Sequence, residues 1–204
     1  MHLKEFDSDR LADIVRGGRF EHFILVPSKC EVRHHRWIRH TFSVDVGHYS
    51  FATRAAGRFP KNRVCVGYMR SVTEPTWVNG FEFGTDLIQY YPPGTEVNYR
   101  AGPNGEWALI QLDEPSLQAA ARERLGVDLT LPLSAAFDLR VPTANLRTLD
   151  RLIERSIQHR NASARLVRPI ISAVVDLLSR AQNIHSFCPL APSEIPCSGS
   201  TAGR

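Results

Sequence analysis

Lysine is scarce in this sequence: of its 25 basic residues only Lys4, Lys29 and Lys61 are lysines, and the rest are arginine. Long apolar runs are missing too, with nothing near the roughly 18 residues a membrane helix needs. The opening Met1-His2-Leu3-Lys4-Glu5-Phe6-Asp7 mixes charges where a signal peptide would be apolar. Both absences point to a cytoplasmic chain with no membrane partner. The four cysteines, Cys30, Cys65, Cys188 and Cys197, form no C-x-x-C pair, which in a cytosolic protein favours free thiols over disulfides or a structural zinc. No G-x-S-x-G elbow, P-loop, G-x-G-x-x-G turn after a strand or H-E-x-x-H helix occurs. Cys65, in the apolar run Val64-Cys65-Val66, reads as packing rather than as a nucleophile. Clustered metal ligands are absent as well. A barrel metal site of the cupin type needs two histidines two apart on one strand, a nearby carboxylate and a third histidine on a later strand. Here His48 stands alone on its strand, and His159 and His185 fall in the helical region or the tail. No catalytic residue, metal or cofactor is therefore expected.

What is present is ordinary globular composition. The 204 residues are 43% hydrophobic and 23% charged, enough for one main core and a small appendage. A net charge of +4 attracts phosphate only where the charges cluster on one face. The one cluster is Arg33-His34-His35-Arg36-Trp37-Ile38-Arg39-His40, which could stack a base or hold an anion; a solvated loop or edge strand is the favoured reading.

From Phe20 to Leu112 apolar and polar residues alternate in short runs: 20–26, 42–51, 63–70, 76–83, 86–91, 96–100 and 106–112. Turn residues separate them, and Asn79-Gly80 is the strongest hairpin signal, because both tolerate positive φ. Many short strands predict an antiparallel barrel or sandwich. After Leu112 the period becomes helical. Asp113 or Glu114 caps a helix that takes Pro115 in its first turn and stops at Gly126. A β-rich stretch from Val127 to Val141 follows. A second helix opens at Pro142-Thr143 with Leu146, Leu149, Ile153 and Ile157 on one face, and Arg147, Arg151 and Arg155 on another. Asp150 and Glu154 are within reach of those arginines, so a salt-bridged solvent face is favoured over nucleic-acid binding. After Asn161-Ala162-Ser163 a third helix carries Leu166, Ile170, Val174 and Leu177, with Pro169 in its first turn or at a kink. The predicted class is thus α+β, an antiparallel barrel or sandwich followed by an amphipathic helical hairpin. The two apolar stripes either form a dimer interface or pack on their own barrel, and residues 183–204 read as a disordered tail.

Aromatic side chains concentrate in the middle strands: Tyr68, Trp77, Phe81, Phe83, Tyr90, Tyr91, Tyr99 and Trp107. Small-molecule pockets are mostly apolar and aromatic with one or two orienting polar groups, a role open to His48, Glu82 or Gln89. The expected ligand-binding set is His48, Tyr68, Trp77, Glu82, Gln89 and Tyr90. Period 2 places Tyr68 with Val66 on one face without saying which face is inside.

The stretch Leu87-Ile88-Gln89-Tyr90-Tyr91-Pro92-Pro93-Gly94-Thr95-Glu96-Val97-Asn98-Tyr99-Arg100 and the step from Trp107 to Leu117 resemble the amino-terminal sensor domain of AraC-type transcription regulators. The likeness runs over about Gly17 to Arg180. It implies a cupin-like barrel, a role in transcription regulation, a small-molecule effector, and dimerisation through the hairpin residues Leu149, Ile153, Ile157, Leu166, Ile170, Val174 and Leu177. Residues 1–16 would be an arm, 17–126 the sensor barrel with its short helix, and 127–182 the linker and dimerisation helices. Family members carry two helix-turn-helix units in about 100 further residues. Only twenty-two residues follow Gln182 here, which suits a truncation or a shifted reading frame. The expectation is a sensor that does not bind DNA alone, and that forms homodimers or heterodimers with a full-length regulator. A free-standing cupin-like binding protein or metal-dependent enzyme is the alternative.

Overall fold

The structure, a computed structural model, describes residues 2–3, 8–25, 30–158 and 163–182. In chain order the elements are β1 (His2–Leu3), α1 (Ser8–Leu11), β2 (Arg19–Ile24), β3 (Val32–Arg39), β4 (Phe42–Tyr49), β5 (Thr53–Arg58), β6 (Val64–Ser71), β7 (Trp77–Val78), β8 (Phe81–Glu82), β9 (Leu87–Tyr91), β10 (Glu96–Ala101), β11 (Gly105–Leu112), α2 (Glu114–Leu125), β12 (Phe137–Arg140), α3 (Thr143–Gln158), a 3₁₀ turn (Ser163–Leu166) and α4 (Val167–Gln182). Among the described residues they make a seven-stranded sheet in the order β1-β3-β4-β11-β6-β9-β12 and a five-stranded sheet in the order β2-β5-β10-β7-β8, with antiparallel pairings. This is the α+β class expected, and the tail at 183–204 lies outside the described residues.

The larger sheet is covered on both faces. Along β6, Val64, Val66 and Tyr68 enter a core shared with the helices, whereas Cys65 and Met69 enter a second core between the two sheets. Along β11 the same alternation sends Ala108, Ile110 and Leu112 to the helices and Leu109 to the sheet interface. The smaller sheet contributes Phe20, Val78 and Val97 to the inter-sheet core and keeps its other face in solvent, as the exposed Arg19, Glu21 and Phe23 of β2 show.

Local signals decide several boundaries. Asn79 and Gly80 take φ of 51° and 86° and join β7 to β8 in a tight hairpin. Asp113 caps α2 by accepting the Ser116 N–H at 2.8 Å. Gly126 ends the helix at φ 78°, donating its N–H to Arg122 O at 3.0 Å. Strand β3 covers the basic cluster from 33 to 39 and has only the two-residue β1 on its outer side, so it is close to the sheet edge. β5, Thr-Arg-Ala-Ala-Gly-Arg, has no clear alternation and is found only in the structure.

Two expectations for the hairpin need correction. Asp150 and Glu154 do not neutralise the arginine stripe of α3. They turn toward β6, where Asp150 Oδ1 accepts the Tyr68 hydroxyl at 2.9 Å and Arg70 Nε at 2.6 Å, and Glu154 Oε2 accepts Arg70 Nη2 at 2.9 Å. Arg147, Arg151 and Arg155 stay exposed. Secondly, Leu149, Ile153, Ile170, Val174 and Leu177 are buried to 1% exposure or less in this chain's own core, and Ile157 and Leu166 are partly buried against it. Those five side chains are consumed within the chain, because the outer face of the larger sheet has no other cover.

Asp150 fastens α3 to the barrel, and Asp150→Ala would leave the Tyr68 hydroxyl and the Arg70 guanidinium without that acceptor. The expected loss is about 1–3 kcal/mol of stability, read from urea unfolding midpoints, with Asp150→Asn losing less.

Candidate functional site

The inter-sheet core is not filled. A cavity of about 100 Å³ remains between the two sheets, walled by Phe20, Phe59, Phe83, Val97, Trp107 and Leu109 among others. Trp107 reaches it because its cross-strand neighbour is Gly47: a Cβ there would lie 2.2 Å from the indole Cζ2. Phe59 and Tyr91 pack with ring centroids 4.5 Å apart and their planes tilted by 45°.

Five polar side chains break the apolar wall: His22, Tyr49, Gln89, Tyr91 and Tyr99. The Tyr49 hydroxyl lies 3.3 Å from His22 Nε2, and the Tyr91 hydroxyl donates to Gln89 Oε1. His22 Nδ1 and Gln89 Nε2 are buried with only weak contacts, to the Phe20 backbone and to Asp138, and Tyr99 Oη is buried with no hydrogen-bond partner among the described residues. Gln89 also faces Asp138 across the β9–β12 pairing; burial raises the Asp138 carboxyl above its ordinary pKa, and the Gln89 amide partly offsets that. No arginine, lysine, aspartate or glutamate lines the cavity. Desolvation lowers the His22 pKa from 6.5 to about 4, a backbone hydrogen bond at Phe20 opposing it, so the ring is neutral at pH 7. Burial likewise raises the Tyr49, Tyr91 and Tyr99 phenols, keeping them protonated. The site is therefore uncharged, with unspent hydrogen-bonding groups on an aromatic wall.

The residues selected from the sequence divide among three places. Gln89 lines the cavity; Tyr68 touches its wall, but its side chain leaves β6 on the helix side and its hydroxyl goes to Asp150. Tyr90 is buried beneath the helices, its ring centroid 5.2 Å from that of Phe137. His48 lies on that same outer face between its cross-strand neighbours Arg33 and Glu106, and burial followed by the Arg33 charge lowers its pKa. Trp77 and Glu82 are exposed on the smaller sheet. The selection missed His22, Tyr49 and Phe59. One signal for the cavity face was available: Tyr91 is two residues from Gln89 and so shares its side of β9.

Ionisable groups elsewhere do not form a metal centre: among the described residues no three or more His, Cys, Asp or Glu converge on one point. The nearest approach is a buried ion pair, in which Asp45 accepts His34 Nε2–H at 3.0 Å and Arg36 Nε–H at 2.5 Å and ties β3 to β4.

No protein-family model and no curated protein sequence matches the chain. Its structure resembles that of the AraC-like transcriptional activator CuxR with a TM-score of 0.56 at 15% identity, over 84% of this chain and 64% of CuxR. Two structures of ToxT from Vibrio cholerae are also similar. The apo K231A form gives a TM-score of 0.49 at 9% identity, over 70% of this chain and 57% of ToxT. The form with unsaturated fatty acid bound gives 0.46 at 9%, over 73% and 58%. This chain thus spans under two thirds of the length of each. The fold it shares with CuxR is the two-sheet antiparallel barrel followed by helices.

His22 makes stability depend on pH. The unfolded chain takes up the imidazole proton near pH 6.5, the folded chain only near pH 4. The unfolded state binds more protons in that window, so stability falls as pH drops from about 6.5 to about 4, by on the order of 3 kcal/mol. His22→Gln is expected to flatten this part of the curve of urea midpoint against pH relative to wild type.

Proposed function

We propose that the chain is the ligand-sensing module of an AraC-type transcription regulator, and that its effector is a small, uncharged, mostly apolar molecule held between the two sheets. The observation that carries this reading is the aromatic cavity with neutral, unpaired hydrogen-bonding groups. An ionised carboxylate or ammonium would find no opposite charge there, and burying an unpaired charge is expensive. A carbonyl or hydroxyl would be met by Gln89 Nε2 and Tyr99 Oη. The volume of about 100 Å³ is below the roughly 150 Å³ of an apolar cavity that accepts benzene, so the effector is at most one small ring. The module works by binding alone, with no catalytic step and no resident cofactor or metal.

The regulatory output runs through a homodimer or a heterodimer with a full-length regulator. Since Leu149, Ile153, Ile170, Val174 and Leu177 face inward, contact through the hairpin falls to its outward surface, at the partly exposed Ile157 and Leu166. The described helices α3 and α4 commit their apolar faces to the barrel. DNA is read by a helix-turn-helix part of the same regulator or of its partner.

Thermal melts with phenol and with benzoate test the effector class. Phenol at about ten times its Kd is expected to raise the melting temperature by about 3 °C, and benzoate to leave it unchanged. Ala55→Leu, which fills space at the cavity wall, should abolish the phenol shift. A benzoate shift equal to that of phenol would rule out an uncharged site. Light scattering behind size exclusion is expected to show a dimer at micromolar concentration that Ile157→Glu with Leu166→Glu converts to monomer.

A further inference from the structure

The outer face of the five-stranded sheet carries one row of side chains that the cavity does not use. Strand register puts Phe23 opposite Arg54, Arg54 opposite Arg100, Arg100 opposite Trp77, and Trp77 opposite Glu82. All five are exposed, Trp77 by 39% and Phe23 by 51%. Side chains directly opposite in a sheet are about 5 Å apart at Cβ, and like charges there destabilise the pairing. Two arginines facing each other are therefore a cost that no ion pair among the described residues relieves. Among the described residues no carboxylate is ion-paired with Arg54 or Arg100, and the one partner of Arg54 is the neutral Asn98, whose Oδ1 accepts its Nε–H at 3.1 Å. The nearby acids are placed otherwise: Glu96 is held by Arg58, Glu21 stands opposite Ala56, and Glu82 lies beyond Trp77. Leu25, Arg54, Trp77, Gly80, Asn98 and Arg100 line an open groove of about 600 Å³ on this face, within the range of small-molecule sites.

We propose that this groove is a second ligand site, distinct from the cavity, which takes a nucleotide with its phosphate between Arg54 and Arg100 and its base stacked on Trp77. Guanidinium groups match phosphate oxygens in fork geometry, and a phosphate placed between two opposed arginines turns their repulsion into shared attraction. An exposed indole one strand away, about 5 Å, supplies the flat face on which any base stacks. An acidic peptide would satisfy the arginines but leave Trp77 uncovered, and a neutral ring would do the reverse. One ligand carrying both groups uses the whole row.

Isothermal titration of the full chain with AMP, UMP, adenosine and inorganic phosphate tests this. At least one nucleotide is expected to bind ten or more times as tightly as adenosine or phosphate. Arg54→Gln, Arg100→Gln and Trp77→Leu should each weaken it at least tenfold. Without ligand, the two arginine variants should melt at the wild-type temperature or above, since each removes a like-charge contact. The assignment is overturned if neither nucleotide binds at millimolar concentration, if adenosine binds as well, or if the arginine variants keep full affinity. It is equally overturned if those variants melt well below wild type, or if only an oligonucleotide engages the arginines.

Discussion

The three central strands of the larger sheet, β4, β6 and β11, have almost no face left for water, since successive side chains along each are buried on alternate sides. One side of that sheet needs the smaller sheet and the other needs the helices. Removing either cover would expose Val44, Val66 and Ile110 or Cys65 and Leu109, each at 5% exposure or less. That double burial accounts for the hairpin. Helices α3 and α4 pack on this barrel because its outer apolar face must be closed within the chain, and Asp150 pins the cover in place through Tyr68 and Arg70.

The same constraint leaves the cavity on the other side. The inter-sheet face is built from large rings that stack without closing all the space between them, and their few polar atoms cannot all be paired there. An uncharged chamber follows, since burial keeps His22 neutral and the tyrosines protonated. The charged groups of this end of the molecule are held elsewhere, in the Asp45 ion pair and on the outer face of the smaller sheet. The two faces of the five-stranded sheet therefore have opposite chemistry: an apolar chamber within and an arginine and aromatic row without.

Much of the secondary structure could be read from local chemistry. Asn79-Gly80 can form only a few kinds of turn, and Asp113, Pro115 and Gly126 bracket a helix with the groups its ends require. β5 was illegible because alanine, glycine and arginine carry no alternation, and its place comes from pairing with β2 and β10. The candidate site was legible only in part. Several of the aromatic strands border the cavity, but where both faces of a strand are buried, alternation separates the two sets without naming them. Tyr90 and Gln89 are adjacent in sequence and lie in different compartments.

The sequence by itself determined most of the elements, the turn at Asn79-Gly80, the capped helix α2 and the two apolar stripes of the hairpin, because each depends on residues within a few positions of one another. Only the tertiary structure decided what those stripes bury, that Asp150 answers to Tyr68 and Arg70, which rings enclose the cavity, and that Arg54 faces Arg100. Those pairings join residues 46 to 82 positions apart, and their geometry depends on sheet register and on which layer covers which face. No local pattern encodes that information.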